Sequence, residues 1–169
     1  WQRSHKWETL LIEVGKNFTT GRACRLEALP VDGSGSKKIL IIGSNVQIND
    51  GVHITATVSV CIGNYVLMAS KVYISDVAHG NYDIDAGAMN YPNVPPAARP
   101  LNSQPVVIED NVWLGDGVCV LPGITIGKGS IIGANAVVTK NIPAGSIAVG
   151  IPAKIIKRFD EEKKQWLAV

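Results

Sequence analysis

Aromatic residues are scarce in this chain, at 6% of 169 residues, and so are charged ones, at 18%. An average globular protein carries roughly 25% charged residues. With 46% hydrophobic residues beside so little charge, the chain is no disordered tail or linker, which needs the opposite balance. Long apolar runs are missing too: no stretch approaches the roughly 18 residues of a membrane-spanning helix. The net charge is only +2, and its basic residues are scattered rather than striped, so nothing marks a nucleic-acid surface. Cysteine occurs three times, at Cys24, Cys61 and Cys119. Wide spacing and an odd count give neither a CxxC pair nor a disulfide framework, and point to a reducing, cytoplasmic setting. The first residues, WQRSHKWETLLIEVGK, lack the apolar core of a signal peptide. They also lack an initiator Met, which leaves an upstream start open. The length suits one domain, residues 1–169, with its own core.

What the chain does have is a period of six. Read from Ile42 it gives IGSNVQ, INDGVH and ITATVS, then after two extra residues IGNYVL, MASKVY and ISDVAH. From Ile108 it gives IEDNVW, LGDGVC, VLPGIT, IGKGSI, IGANAV and VTKNIP. All twelve first positions are aliphatic, where chance predicts roughly four. The fifth positions are nearly as uniform, with Val46, Val52, Val66, Val112 and Val118 among them. Positions one and five share a face of an extended strand. Gly43, Gly63, Gly115, Gly127 and Gly133 occupy the second position, where they are expected to relieve the backbone at a sharp corner. Short strand, corner, short strand is the pattern of a β-solenoid. A narrow solenoid stacks Ile and Val but has little room for rings, which accounts for the aromatic shortage.

The period breaks once, between Ala78 and Ile108. The segment from His79 to about residue 106 carries five prolines, Pro92, Pro95, Pro96, Pro100 and Pro105. Proline lacks the donor that a parallel ladder needs, so this is an inserted loop, and loops of this length are usually functional. It is expected to act as a lid over a binding site. The end of the chain, residues 153–167, reads as a short amphipathic α-helix that caps the last coil.

At these residues the sequence resembles the hexapeptide-repeat acyltransferase superfamily. The hexads, HG, NVWLG and the tail VVTKNIPAGSIAVGIPAKIIKR carry the likeness, over roughly residues 36–158. Within it, the chain looks most like the galactoside, maltose and nodulation-type O-acetyltransferases and those acting on surface polysaccharides. The resemblance implies an all-β fold: a left-handed parallel β-helix with the inserted loop and the C-terminal helix. It also implies acetyl-CoA as donor, a cyclic homotrimer with active sites between subunits, and no metal. The acceptor would be a sugar hydroxyl in polysaccharide or lipopolysaccharide biosynthesis; a small free sugar or xenobiotic, or a non-catalytic scaffold, are the alternatives. A γ-class carbonic anhydrase shares the fold but needs three converging imidazoles, and only His53 and His79 lie in the repeat.

Acetyl transfer to a hydroxyl needs a base, a bound thioester and donors for the oxyanion. His5 reads as a solvated terminal residue, and His53 as structural or acceptor-lining. His79, in SDVAHG, matches the family's catalytic histidine, and imidazole has a neutral acceptor nitrogen at neutral pH. Where many relatives have DHxHG, this chain has Asp76-Val77-Ala78-His79. Asp76 either orients His79 or caps the corner. Asn49 matches an asparagine that contacts the acceptor, while the relatives' acidic contact is Thr57 here. Trp113 matches the tryptophan beside the histidine and the pantetheine arm. Backbone N–H groups of Gly115 and Asp116 are candidates to polarise the carbonyl. Ala134 and Thr139 match the cofactor groove, and Lys140, Lys154, Lys157 and Arg158 match or neighbour contacts to the CoA phosphates.

Overall fold

The computed structural model describes residues 11–31, 37–83 and 87–169. His5 and residues 84–86 of the inserted loop lie outside them. Strands of two to four residues run round a three-sided prism, each parallel to the strand one turn on. Face A holds Ile12–Val14, Leu40–Ile42, Val60–Ile62, Val106–Ile108 and Thr125–Ile126. Face B holds Thr19–Thr20, Gln47–Ile48, Leu67–Met68, Trp113–Leu114, Ile131–Ile132 and Ser146–Val149. Face C holds Arg25–Ala28, His53–Ala56, Tyr73–Ser75, Cys119–Val120 and Val137–Val138. The chain visits A, B and C in turn, and an isolated bridge between Ile126 and Ile142 opens a partial last turn.

The hexads explain this prism directly. All twelve first positions are buried, from Ile42 at 1% exposure to Val138 at 0%. Each such Ile, Leu or Val contributes about 1.5–3 kcal/mol when fully buried, so stacked aliphatic side chains supply the driving force. At the fifth position only Val58 and Ala78 escape burial, and both sit where the coil widens toward the loop. The first turn, residues 12–28, precedes the segment read as repeat. Its matching positions include Phe18, Thr20 and Cys24, which fail an aliphatic test and hid it.

The glycines at the second position serve a different purpose from the one expected. Left-handed backbone falls instead at the fourth position: Asn45, Tyr65, Lys71, Asn111 and Asn135 have φ of 57–60°. The second-position glycines are small because successive coils touch there. A Cβ on Gly115 would lie 2.7 Å from the Ala134 nitrogen, and one on Gly43 would lie 2.7 Å from the Gly63 carbonyl carbon.

The C-terminal α-helix is not formed. Lys154–Asp160 runs antiparallel to Ser146–Val149 and pairs in turn with Gln165–Ala168, extending face B by a hairpin. The open edge of Ser146–Val149 offers a ladder of backbone partners, and Ile155 and Ile156 favour extended backbone. The charged run read as a solvated helix face is the hairpin turn. Asp160 accepts from the Glu162 and Lys163 amides, Lys164 takes φ 51°, and Phe159 meets Trp166 edge-on at 5.4 Å.

Candidate active site

The expected site residues lie along two edges of the prism and on face B. The inserted loop leaves at the edge where face C turns to face A. Its base is a two-stranded antiparallel ribbon, Val77–His79 with Leu101–Ser103, and the loop holds short 3₁₀ turns at Ala88–Asn90 and Pro96–Ala98. His79 ends the first ribbon strand with its side chain exposed. Among the described residues its ring makes no hydrogen bond, so one nitrogen is free to accept a proton.

Asp76 does not orient that ring, nor can it touch a substrate. It is fully buried, and its carboxylate accepts from the Thr57, Val58 and Ser59 amides at 2.8–2.9 Å and from Thr57 Oγ1 at 2.8 Å. The two extra residues of the third hexad make a wide corner with three inward N–H groups, and a carboxylate from the next coil satisfies all of them. Of the two readings of Asp76, the corner cap is the one observed. Thr57, standing where relatives place an acid, is spent on this cap.

Beyond the ribbon the loop borders an open pocket of about 420 Å³ lined by Asn81, Tyr82, Asp83, Asn90, Tyr91 and Arg99, among others. Tyr82 links it to the histidine, donating to the His79 carbonyl at 2.6 Å. The prolines and the aperiodic loop gave no signal for Tyr82 or Arg99, because no repeat predicts a side chain there.

The other expected residues divide between edges. Thr139 and Lys140 lie on the C-to-A edge, two coils on from His79. Asn49, Asp116 and Ala134 lie on the B-to-C edge, and Trp113 stands on face B, 49% exposed. The Gly115 N–H is not available to polarise a substrate carbonyl: it donates to Ile132 O at 2.9 Å, as the ladder requires. The Asp116 carboxylate caps the Ser70 amide of the preceding coil at 3.0 Å. On face B the register sets Trp113, Ile131, Ile147 and Lys157 side by side in one row. Three strand steps separate its ends, about 14 Å. Lys154 pairs with Val149 on the same side as this row, across a bulge, while Arg158 pairs with the buried Ser146 and falls on the other side. Lys140, Lys154, Lys157 and Arg158 form no ion pair among the described residues.

Two further groups bear on the chemistry. Burial pushes the Cys119 thiol above its ordinary value of 9.0, so it stays protonated and is a poor nucleophile at neutral pH. On face C, His53 Nε2 lies 3.0 Å from Glu27 Oε2 and 3.0 Å from Thr55 Oγ1, with Arg25 2.6 Å from the same carboxylate. Burial raises Glu27, but the hydrogen bonds from His53, Arg25 and Thr55 and the Arg25 charge outweigh it, and the net is below 4.5. Glu27 was not singled out from sequence because it lies in the hidden first turn.

The coiled fold has counterparts among known proteins. Residues 105–140 match the bacterial transferase hexapeptide (six repeats) family. Over 155 residues the chain is 46% identical to a protein of Escherichia coli (strain K12) named for lipopolysaccharide biosynthesis O-acetyl transfer, WbbJ, covering 92% of this chain and 76% of that one. It is 33% identical to the galactoside O-acetyltransferase of the same strain over 74% of its own length, but spans only 57% of that relative. Among solved structures, the N-acyltransferase AntD from Bacillus cereus, in complex with dTDP and 3-hydroxybutyryl-CoA, superposes with a TM-score of 0.71 at 21% identity, over 90% of this chain and 75% of that one. A galactoside acetyltransferase in complex with coenzyme A superposes at 0.55 and 27% identity, over 88% and 68%. The prism is therefore the left-handed parallel β-helix, and the chain belongs to the hexapeptide-repeat O-acetyltransferases, enzymes that take their acetyl group from acetyl-CoA.

Proposed function

We propose that the chain transfers acetyl from acetyl-CoA to a sugar hydroxyl of a surface polysaccharide or its precursor, with His79 as general base. The observation that carries this is an exposed imidazole with no ring hydrogen bond among the described residues, set at the base of the inserted loop near a tyrosine-lined pocket. The imidazole takes the hydroxyl proton as oxygen attacks the thioester carbonyl. A C–O bond forms, the C–S bond breaks as the tetrahedral intermediate collapses, and the imidazolium returns the proton to the departing thiol. No acyl-enzyme is required, in keeping with the protonated Cys119.

The residues present fit acetyl-CoA. The row from Trp113 through Ile131 and Ile147 to Lys157 gives the pantetheine arm an apolar track, and the unpaired cations at its end suit phosphates. Small Ala134 allows close approach at the adjoining edge. His79, Thr139 and Lys140 are on the C-to-A edge, whereas Asn49 and Ala134 are on the B-to-C edge and Trp113 is on face B. One chain does not bring the two sets together, which supports a cyclic homotrimer with each site shared by neighbours. Three free cysteines support a reducing, cytoplasmic setting, and one continuous core from Leu11 to Ala148 supports a single domain.

The name of the Escherichia coli relative supports a lipopolysaccharide-type acceptor; the galactoside relatives make free sugars the comparison. The test is thiol release from acetyl-CoA across a panel of both acceptor types. We expect activity on polysaccharide or lipid-linked sugars, and a loss of about 10²–10⁴-fold in turnover for His79→Ala. Wild-type turnover in a folded His79→Ala protein would remove His79 from this role.

A further inference from the structure

The base of the loop holds a connected chain of donors that ends on the backbone of His79. The ribbon that carries His79 has only three residue pairs, and so short a two-stranded pairing is marginal by itself. Two bonds secure its end. The Gly80 amide donates to Pro100 O at 2.7 Å, and Tyr82 Oη donates its one proton to His79 O at 2.6 Å. The same phenol oxygen accepts from Arg99 Nη1 at 2.8 Å, while Arg99 Nε donates to Val94 O at 3.1 Å. Arg99 forms no ion pair among the described residues; its guanidinium is spent on holding the phenol. A donor chain of this kind is mutually polarised, each bond strengthening the next. Gly80 is part of the device: at φ +95° it turns the chain back, and a Cβ there would lie 2.8 Å from Tyr82 Oη.

We propose that Tyr82 and Arg99 are positioning residues for the transfer reaction, acting together to fix the height and direction of the His79 imidazole through its own carbonyl. This rests on the reading of His79 as the base. Reactions of this type are sensitive to displacements of an ångström or so, and Tyr82 is the only side chain described as bonded to the His79 backbone.

The test is a kinetic cycle on the full-length protein with Tyr82→Phe, Arg99→Ala, both together, and Arg99→Lys. Tyr82→Phe removes one O–H and nothing else. We expect it to lower kcat by roughly ten-fold with KM for acetyl-CoA unchanged, Arg99→Ala to do the same, and the double variant to be no slower than the worse single one, because the pair acts as one unit. Arg99→Lys should recover part of the loss, since an ammonium still reaches the phenol. Independently of any acceptor, exchange of the Gly80 amide should quicken by roughly ten-fold in Tyr82→Phe. Wild-type kcat in Tyr82→Phe, additive losses in the double variant, or an unchanged Gly80 exchange rate would each overturn the proposal. A dead His79→Ala beside a wild-type Tyr82→Phe sinks only the positioning role; an active His79→Ala sinks the reading of the base itself.

Discussion

Asp76 shows how a single residue changes meaning between sequence and structure. In SDVAHG it sits three residues before the histidine, a natural spacing for an orienting carboxylate. In the fold it points the other way, into a corner, where it satisfies three backbone amides. Removing it strips those donors, buried or partly buried, of this partner. We therefore expect Asp76→Ala to destabilise the protein by about 3 kcal/mol or more, seen as a lower midpoint in urea. If it lowers turnover while leaving the midpoint untouched, the catalytic reading returns. The second-position glycines carry a similar lesson. Their recurrence was legible, but the reason is contact between successive coils, 20 residues apart at Gly43 and Gly63 and, with the inserted loop between them, 47 apart at Gly63 and Asp110.

At the level of elements, the strands read well and the chain ends did not. Aliphatic residues at positions one and five leave no other satisfactory arrangement, so the faces could be drawn from sequence. The tail KIIKRFDEEKKQW is compatible with both helix and hairpin, and the edge offered by Ser146–Val149 decides between them. Face C holds another cross-strand group that local sequence does not reveal: Arg25 and Glu27 on one strand, His53 and Thr55 on the next. Glu27's folded-state pKa lies below its ordinary 4.5. Its ionised form thus stabilises the fold above about pH 4.5, and this contribution fades as pH falls through the lower folded value. Glu27→Gln should lower Tm at pH 7, with the deficit shrinking as pH falls below 4.5. A deficit that persists unchanged at pH 3 would show that packing, not charge, is what Glu27 supplies.

For the whole molecule, the decisive fact is that His79 lies on the C-to-A edge while Trp113 lies on face B and Ala134 on the B-to-C edge of one prism. Mixing His79→Ala chains with Trp113→Ala chains, unfolded and refolded together, should restore activity. Random assortment gives on the order of a quarter of interfaces an intact His79 facing an intact Trp113. No recovery from the mixture, with trimers formed, would place a whole site within one chain. The sequence by itself determined the coil, its period and the one interruption with His79 at its start, because burial of a stacked aliphatic core depends on local pattern. It also carried the family likeness. Only the tertiary structure decided that Asp76 is a cap, that Gly115 has no N–H to spare, that the tail is a hairpin, and that Arg99 reaches His79 through Tyr82. Each of these turns on a hydrogen bond between residues brought together by the winding of the chain, and no periodic pattern encodes which partners will meet.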